Sequence, residues 1–101
     1  MKVVLETDEY ASWIDGLRDK RAQVKIDARI RRLSSGNTGS FRNLGGTVIE
    51  LKIDYGPGYR VYYTETDGNT VVLLAGGDKS SQTKDIEKAK HLAAQVRSEL
   101  K

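Results

Sequence analysis

Cysteine is missing from all 101 residues, which rules out disulfides and thiolate metal sites and is compatible with a reducing compartment. Histidine occurs once, at His91, so a two-histidine ribonuclease mechanism is excluded. That residue falls in the middle of a predicted helix, beside its apolar stripe, and reads as a surface or packing residue. Asp78 and Asp85 have no histidine or cysteine companions at ligand spacing, and no metal or other cofactor is expected. Long apolar runs are missing as well; none approaches the roughly 20 residues that span a bilayer. The opening "MKVVLETDEY" turns charged too early for the apolar region of a signal peptide. A soluble, cytoplasmic chain is expected. No phosphate loop is visible, since "LAGGDKSS" has the glycines without the spacing, and no serine has an evident base.

Charge is plentiful but nearly balanced, +3 overall. Residues 1–46 hold nine Lys/Arg against six Asp/Glu, and residues 47–101 hold eight of each, so the excess lies in the first half. It concentrates in "RDKRAQVKIDARIRR", Arg18 to Arg32, with seven basic residues. Such a run is either a solvated helix face or a face that meets nucleic acid. The length suits one domain with a single core, residues 1–101.

"KVVLE", Lys2 to Glu6, is short and β-branched and predicts a first strand. Asp8 is placed to cap a short helix whose Tyr10, Trp13, Ile14 and Leu17 form one apolar stripe, with Gly16 marking its end. Trp13 reads as its core anchor. A second helix is predicted from Asp19 to about Leu33, with Ala22, Ile26, Ile30 and Leu33 on one face and Gly36 as a left-handed cap. The two make a helical hairpin. Three strands follow, "TVIELKI", "YRVYYT" and "TVVLLA", the last apolar on both faces and therefore central and doubly covered. Gly-Pro-Gly and Asp67-Gly68 supply the turns of an antiparallel meander. Thr83 is placed to cap a final helix carrying Ile86, Ala89, Ala93, Val96 and Leu100. The order β-α-α-β-β-β-α predicts an α+β fold, a mixed sheet with helices packed on it.

The strand after Gly-Pro-Gly aims Arg60 outward with Tyr62, and sets Tyr59, Val61 and Tyr63 on the opposite face. Glu50, Lys52 and Asp54 alternate in the same way with Ile49, Leu51 and Ile53. Lys52 and Arg60 thus fall on adjacent strands with Glu50 and Tyr62 beside them. Lys79 comes at the sheet end, in "GGDKSSQ". Arginine's planar fork and lysine's point charge both suit phosphate oxygens. The same spacing fits ordinary cross-strand pairing of Lys52 and Arg60 with their neighbours. The residue pattern leaves both open.

"ELKIDYGPGYRVYY", followed by "VVLLAGGDKSSQTKDIEKAKHLA", closely resembles small bacterial toxins of the RelE/ParE superfamily, in the HigB-like branch of addiction-module killer proteins. The resemblance covers essentially the whole chain, element by element, including the "GNTG" loop. It implies the toxin of a type II toxin–antitoxin system: a metal-independent mRNA endoribonuclease that works in the ribosomal A site. The implied partners are the ribosome, mRNA and a cognate helix-turn-helix antitoxin, with no membrane. In that chemistry the 2′-hydroxyl attacks the adjacent phosphate, which calls for positive charge, a proton acceptor and a proton donor. Carried over residue by residue, Arg60 of the "GYR" motif stabilises transition-state charge, and Lys52 and Lys79 are the further catalytic cations. Glu50, Tyr62, Ser80, Gln82 and Asp85 are the implied RNA contacts. Glu50 stands where relatives carry a second basic residue, and the region of Asp85 replaces a tyrosine found in some. Lys52, Lys79 and Tyr62 therefore stay open as acid–base groups, with Glu50 or Asp85 as acceptor. Two other functions fit the same fold: a ParE-like inhibitor of DNA gyrase and a non-catalytic binding module.

Overall fold

The computed structural model describes residues 1–99. An N-terminal strand, β1 (Val3–Glu6), leads into α1 (Asp8–Gly16). Thr7 caps this helix instead of Asp8, its hydroxyl accepting from the Tyr10 amide at 3.1 Å. Either side chain can serve as a cap acceptor, and the helix starts one residue earlier, leaving Asp8 and Glu9 to complement the dipole in the first turn. Helix α2 (Lys20–Ser34) begins under the Asp19 carboxylate, which accepts from the Arg21 and Ala22 amides at 3.0 and 3.2 Å. It ends in a Schellman motif. Gly36, at φ +96°, turns its amide to the Leu33 carbonyl and lets the Asn37 amide reach Arg32.

The strands β2 (Phe41–Gly45), β3 (Val48–Ile53), β4 (Tyr59–Glu65) and β5 (Thr70–Gly77) join β1 in one sheet, ordered β1-β5-β4-β3-β2. β1 pairs β5 in parallel, and every other pairing is antiparallel. The predicted order of helical hairpin, meander and C-terminal helix α3 (Gln82–Glu99) is present. β2 is additional. All but one of its five residues are exposed, so no apolar alternation announced it. Thr83 lies inside α3 and does not cap it. A short 3₁₀ turn, Lys79–Ser81, precedes the helix, and the Asp78 carboxylate accepts from the Ser80 amide at 2.9 Å. Leu100, expected at the end of the apolar stripe, lies outside the described residues.

Alternation along the strands divides the interior into two cores. Leu51, Ile53, Tyr59, Val61, Tyr63, Val71 and Leu73 meet Tyr10, Ala22, Ile26 and Leu33 of the helical hairpin. Val48, Tyr62, Val72, Leu74 and Ala75 meet Ala89 and Ala93 of α3. β5 is thereby covered on both faces, as its unbroken apolar run requires. Its last two residues must be glycine, because a β-carbon on Gly76 would collide with the Trp13 ring and one on Gly77 with the Asp85 carboxylate. Trp13 meets Tyr59 edge-on, with ring centroids 6.3 Å apart, and anchors α1 as its position suggested. Among the described residues, no helix is long and apolar enough to cross a membrane.

Candidate functional site

Strand register decides which cations meet. Lys52 pairs with Arg60 and Glu50 with Tyr62 across β3 and β4, all on the α3 side of the sheet. The two strands are joined by a turn in which the Gly58 amide reaches the Tyr55 carbonyl at 3.1 Å, with Gly56 and Gly58 at φ +56° and +80°. This turn also holds the arginine: Arg60 Nη1 donates to the Gly58 carbonyl at 2.7 Å. A β-carbon on Gly58 would sit 3.3 Å from that nitrogen and 3.9 Å from Lys79 Cβ. Lys79 therefore stands beside Arg60, across a glycine.

Glu50 occupies the centre of the cluster, with its side chain only 6% exposed. Gln82 Nε2 donates to its Oε2 at 3.0 Å, and Arg42 Nη2 lies 3.3 Å from its Oε1. Arg60 Nε approaches Oε2 to 3.7 Å, too far for a hydrogen bond. That nitrogen and the Tyr62 hydroxyl are buried with no hydrogen-bond partner among the described residues. Lys52 is exposed and in no ion pair among those residues. Ser40, Arg42, Glu50, Lys52, Arg60 and Gln82 line one pocket of about 320 Å³. Its cations can grip an anion while its carboxylate accepts a proton.

The structure corrects the exposure expected of Arg60 and Tyr62, and it places Asp85 and Ser80 outside the lining of this pocket. Arg60 is not aimed into solvent; it is 7% exposed, because α3 roofs that face of the sheet. Tyr62 is fully buried in the α3 core, so its ring offers no face to a base. Burial first, then the charges of Glu50 and Asp85, pushes its phenol well above the usual tyrosine range, and the same burial keeps the hydroxyl from reaching a substrate. Asp85 is buried as well, accepts from Ser81 Oγ at 2.5 Å, and faces a separate cleft with Trp13 and Tyr59. Ser80 donates its hydroxyl to Asp78 Oδ1 at 2.5 Å within the 3₁₀ turn and does not line the pocket. The small Ala89 and Ala93 let α3 lie close on the sheet, a packing that strand alternation does not encode.

Arg42 escaped the sequence reading because β2 did. It sits opposite Glu50 in the β2–β3 register. The Gly45-Gly46 pair ahead of "TVIELKI" is a hairpin signal that would have exposed the strand and its arginine. His91 is exposed on α3, as expected of a surface residue.

Comparison with known proteins sets this arrangement in context. A solved structure of a mutant of the E. coli toxin RelE in the free state superposes with a TM-score of 0.65 at 13% identity, over 86% of this chain and 96% of that chain. At that identity the likeness is one of fold, and the sheet with its helical hairpin and C-terminal helix is RelE-like. An uncharacterized protein of Haemophilus influenzae is 48% identical over 87 residues, which span 86% of this chain and 88% of that one. Residues 12–98, from α1 through almost all of α3, match the family described as phage-derived protein Gp49-like (DUF891). With the match running through every strand but β1 and through all the pocket residues, the chain belongs to the Gp49-like family.

Proposed function

We propose that this protein is the toxin of a type II toxin–antitoxin system, a HigB-like endoribonuclease that cuts mRNA in the ribosomal A site and is held in check by a cognate helix-turn-helix antitoxin. The observation that carries the reading is Lys52 paired with Arg60 on a RelE-like sheet, in a pocket shared with Glu50 and Arg42. Arg60 and Lys52 hold the non-bridging oxygens of the scissile phosphate, whose charge grows as the phosphorane forms. Glu50 takes the proton of the 2′-hydroxyl while that oxygen bonds to phosphorus. The bond from phosphorus to the 5′-oxygen breaks, and Lys79, across Gly58 from Arg60, gives the leaving oxygen its proton. The products are a 2′,3′-cyclic phosphate and a free 5′-hydroxyl. Side chains supply every group in this scheme.

Inducing the native protein and Arg60→Ala in growing cells tests the reading. The native chain should arrest growth and leave 3′-truncated messages visible by primer extension. Arg60→Ala should lose about a hundredfold or more of the cleavage rate, the scale of losing one transition-state charge partner. Growth arrest undiminished in the variant overturns the mechanism. In a translating extract the protein should stop synthesis. Synthesis that continues while DNA supercoiling fails would favour a gyrase inhibitor, and no effect on either would favour a binding module.

A further inference from the structure

A second and larger groove, about 560 Å³, lies between α2 and the end of β3, on the opposite side of the sheet from the pocket around Arg60. Ser40 and Lys52 line both, so the two cavities meet at the sheet edge formed by these residues. On the far side the groove is walled by Lys25, Arg29 and Arg32 of α2. Arg29 is engaged: it donates to the Thr38 and Ser40 carbonyls at 3.0 and 2.8 Å. Burial first, and then the charge of Arg32, lower its pKa. Lys25 rests 5.2 Å above the Tyr55 ring, and neither it, Arg32 nor Lys52 is in an ion pair among the described residues. One acid, Asp54, lines the groove, and Asp19 lies near it, bonded to the Tyr55 hydroxyl at 3.1 Å. The basic run of α2 is therefore not simply a solvated face. Part of it forms one wall of a groove that shares Ser40 and Lys52 with the pocket around Arg60.

We infer that this groove is a second subsite for the same RNA strand, its phosphates running from Arg60 past Lys52 to Arg32 and Lys25. The subsite rests on the nuclease reading for its ligand but not on cleavage for its test. Binding is measured with uncleavable RNA, 2′-O-methylated, as an oligomer of about ten nucleotides and as one of about three, the longer falling within the site sizes of small single-strand binders. The double variant Lys25→Ala, Arg32→Ala should weaken the long oligomer about tenfold and leave the short one unchanged. The salt dependence of long-oligomer binding should fall by about 1.4 in logarithmic slope, two phosphate contacts at roughly 0.7 each. Thermal unfolding of the variant confirms that the fold is intact.

An equal loss for both lengths, a loss for neither, or no binding of the long oligomer by the native protein at low salt each overturns the subsite. Groove-dependent binding alongside unimpaired translation would overturn the nuclease reading instead and leave the subsite standing.

Discussion

Arg60 commits one nitrogen to the Gly58 carbonyl and turns another toward Glu50, so its charge is oriented before any anion arrives. Glu50 is the pivot of that geometry, touched by Arg42, Gln82 and Arg60 from three elements. Glu50→Gln separates shape from charge. The amide keeps an oxygen for Gln82 but cannot take a proton, so cleavage by the folded variant should fall about a hundredfold or more, while thermal unfolding separately reads the stability lost when the buried Arg60 is left without its counter-charge. A full-rate Glu50→Gln enzyme would show that another group accepts the proton. The sequence disclosed which faces Lys52, Arg60 and Glu50 share, because strand alternation is local. It did not disclose that Arg60 and Tyr62 are buried, because that depends on how closely Ala89 and Ala93 bring α3 to the sheet.

Elements were legible wherever periodicity or a cap was strong. The αα-hairpin, the Gly36 terminus of α2, the meander and the doubly covered β5 all carry such signals. β2 carries none, since an edge strand with one half-buried side chain has no face to alternate. Its connection to β3 is strained as well. Gly46 and Thr47 take φ +58° and +65°, the left-handed pair of a tight hairpin turn, and a β-branched residue is costly there. Arg97 Nε donates to the Thr47 hydroxyl at 2.9 Å, a tie from α3 that offsets part of the cost. Thr47→Gly should relieve the strain and raise stability by about 1 kcal/mol despite losing that exposed bond. Denaturant unfolding checks the sign, and a loss of stability would mean that the Arg97 tie outweighs the backbone.

The molecule as a whole is built around tyrosines. Tyr10 and Tyr63 are buried on the hairpin side of the sheet and Tyr62 on the α3 side. Burial, aided by Glu65 and opposed by Arg29, pushes the Tyr63 phenol from 10.0 up to about 12, and burial moves Tyr10 and Tyr62 the same way. A raised folded-state value means that the neutral phenol favours the fold. Its contribution is complete below about pH 10 and is lost as pH climbs through about 12. Melting temperature should therefore fall steadily across that alkaline window, with the phenolate absorbance of these three rings emerging together with unfolding. Phenolate from all three in a still-folded protein would refute the linkage.

Arg29 fastens more than it seems to touch. Besides the Thr38 and Ser40 carbonyls, its guanidinium comes within 3.5 Å of the carbonyl of Lys52 itself. Cutting that one side chain short would slacken, in a single stroke, the loop that walls both cavities and the backbone that carries the Lys52 side chain. A genetic search for inactive clones would then gather lesions at this helix position alongside those at Arg60, although the helix arginine itself never has to meet a scissile bond.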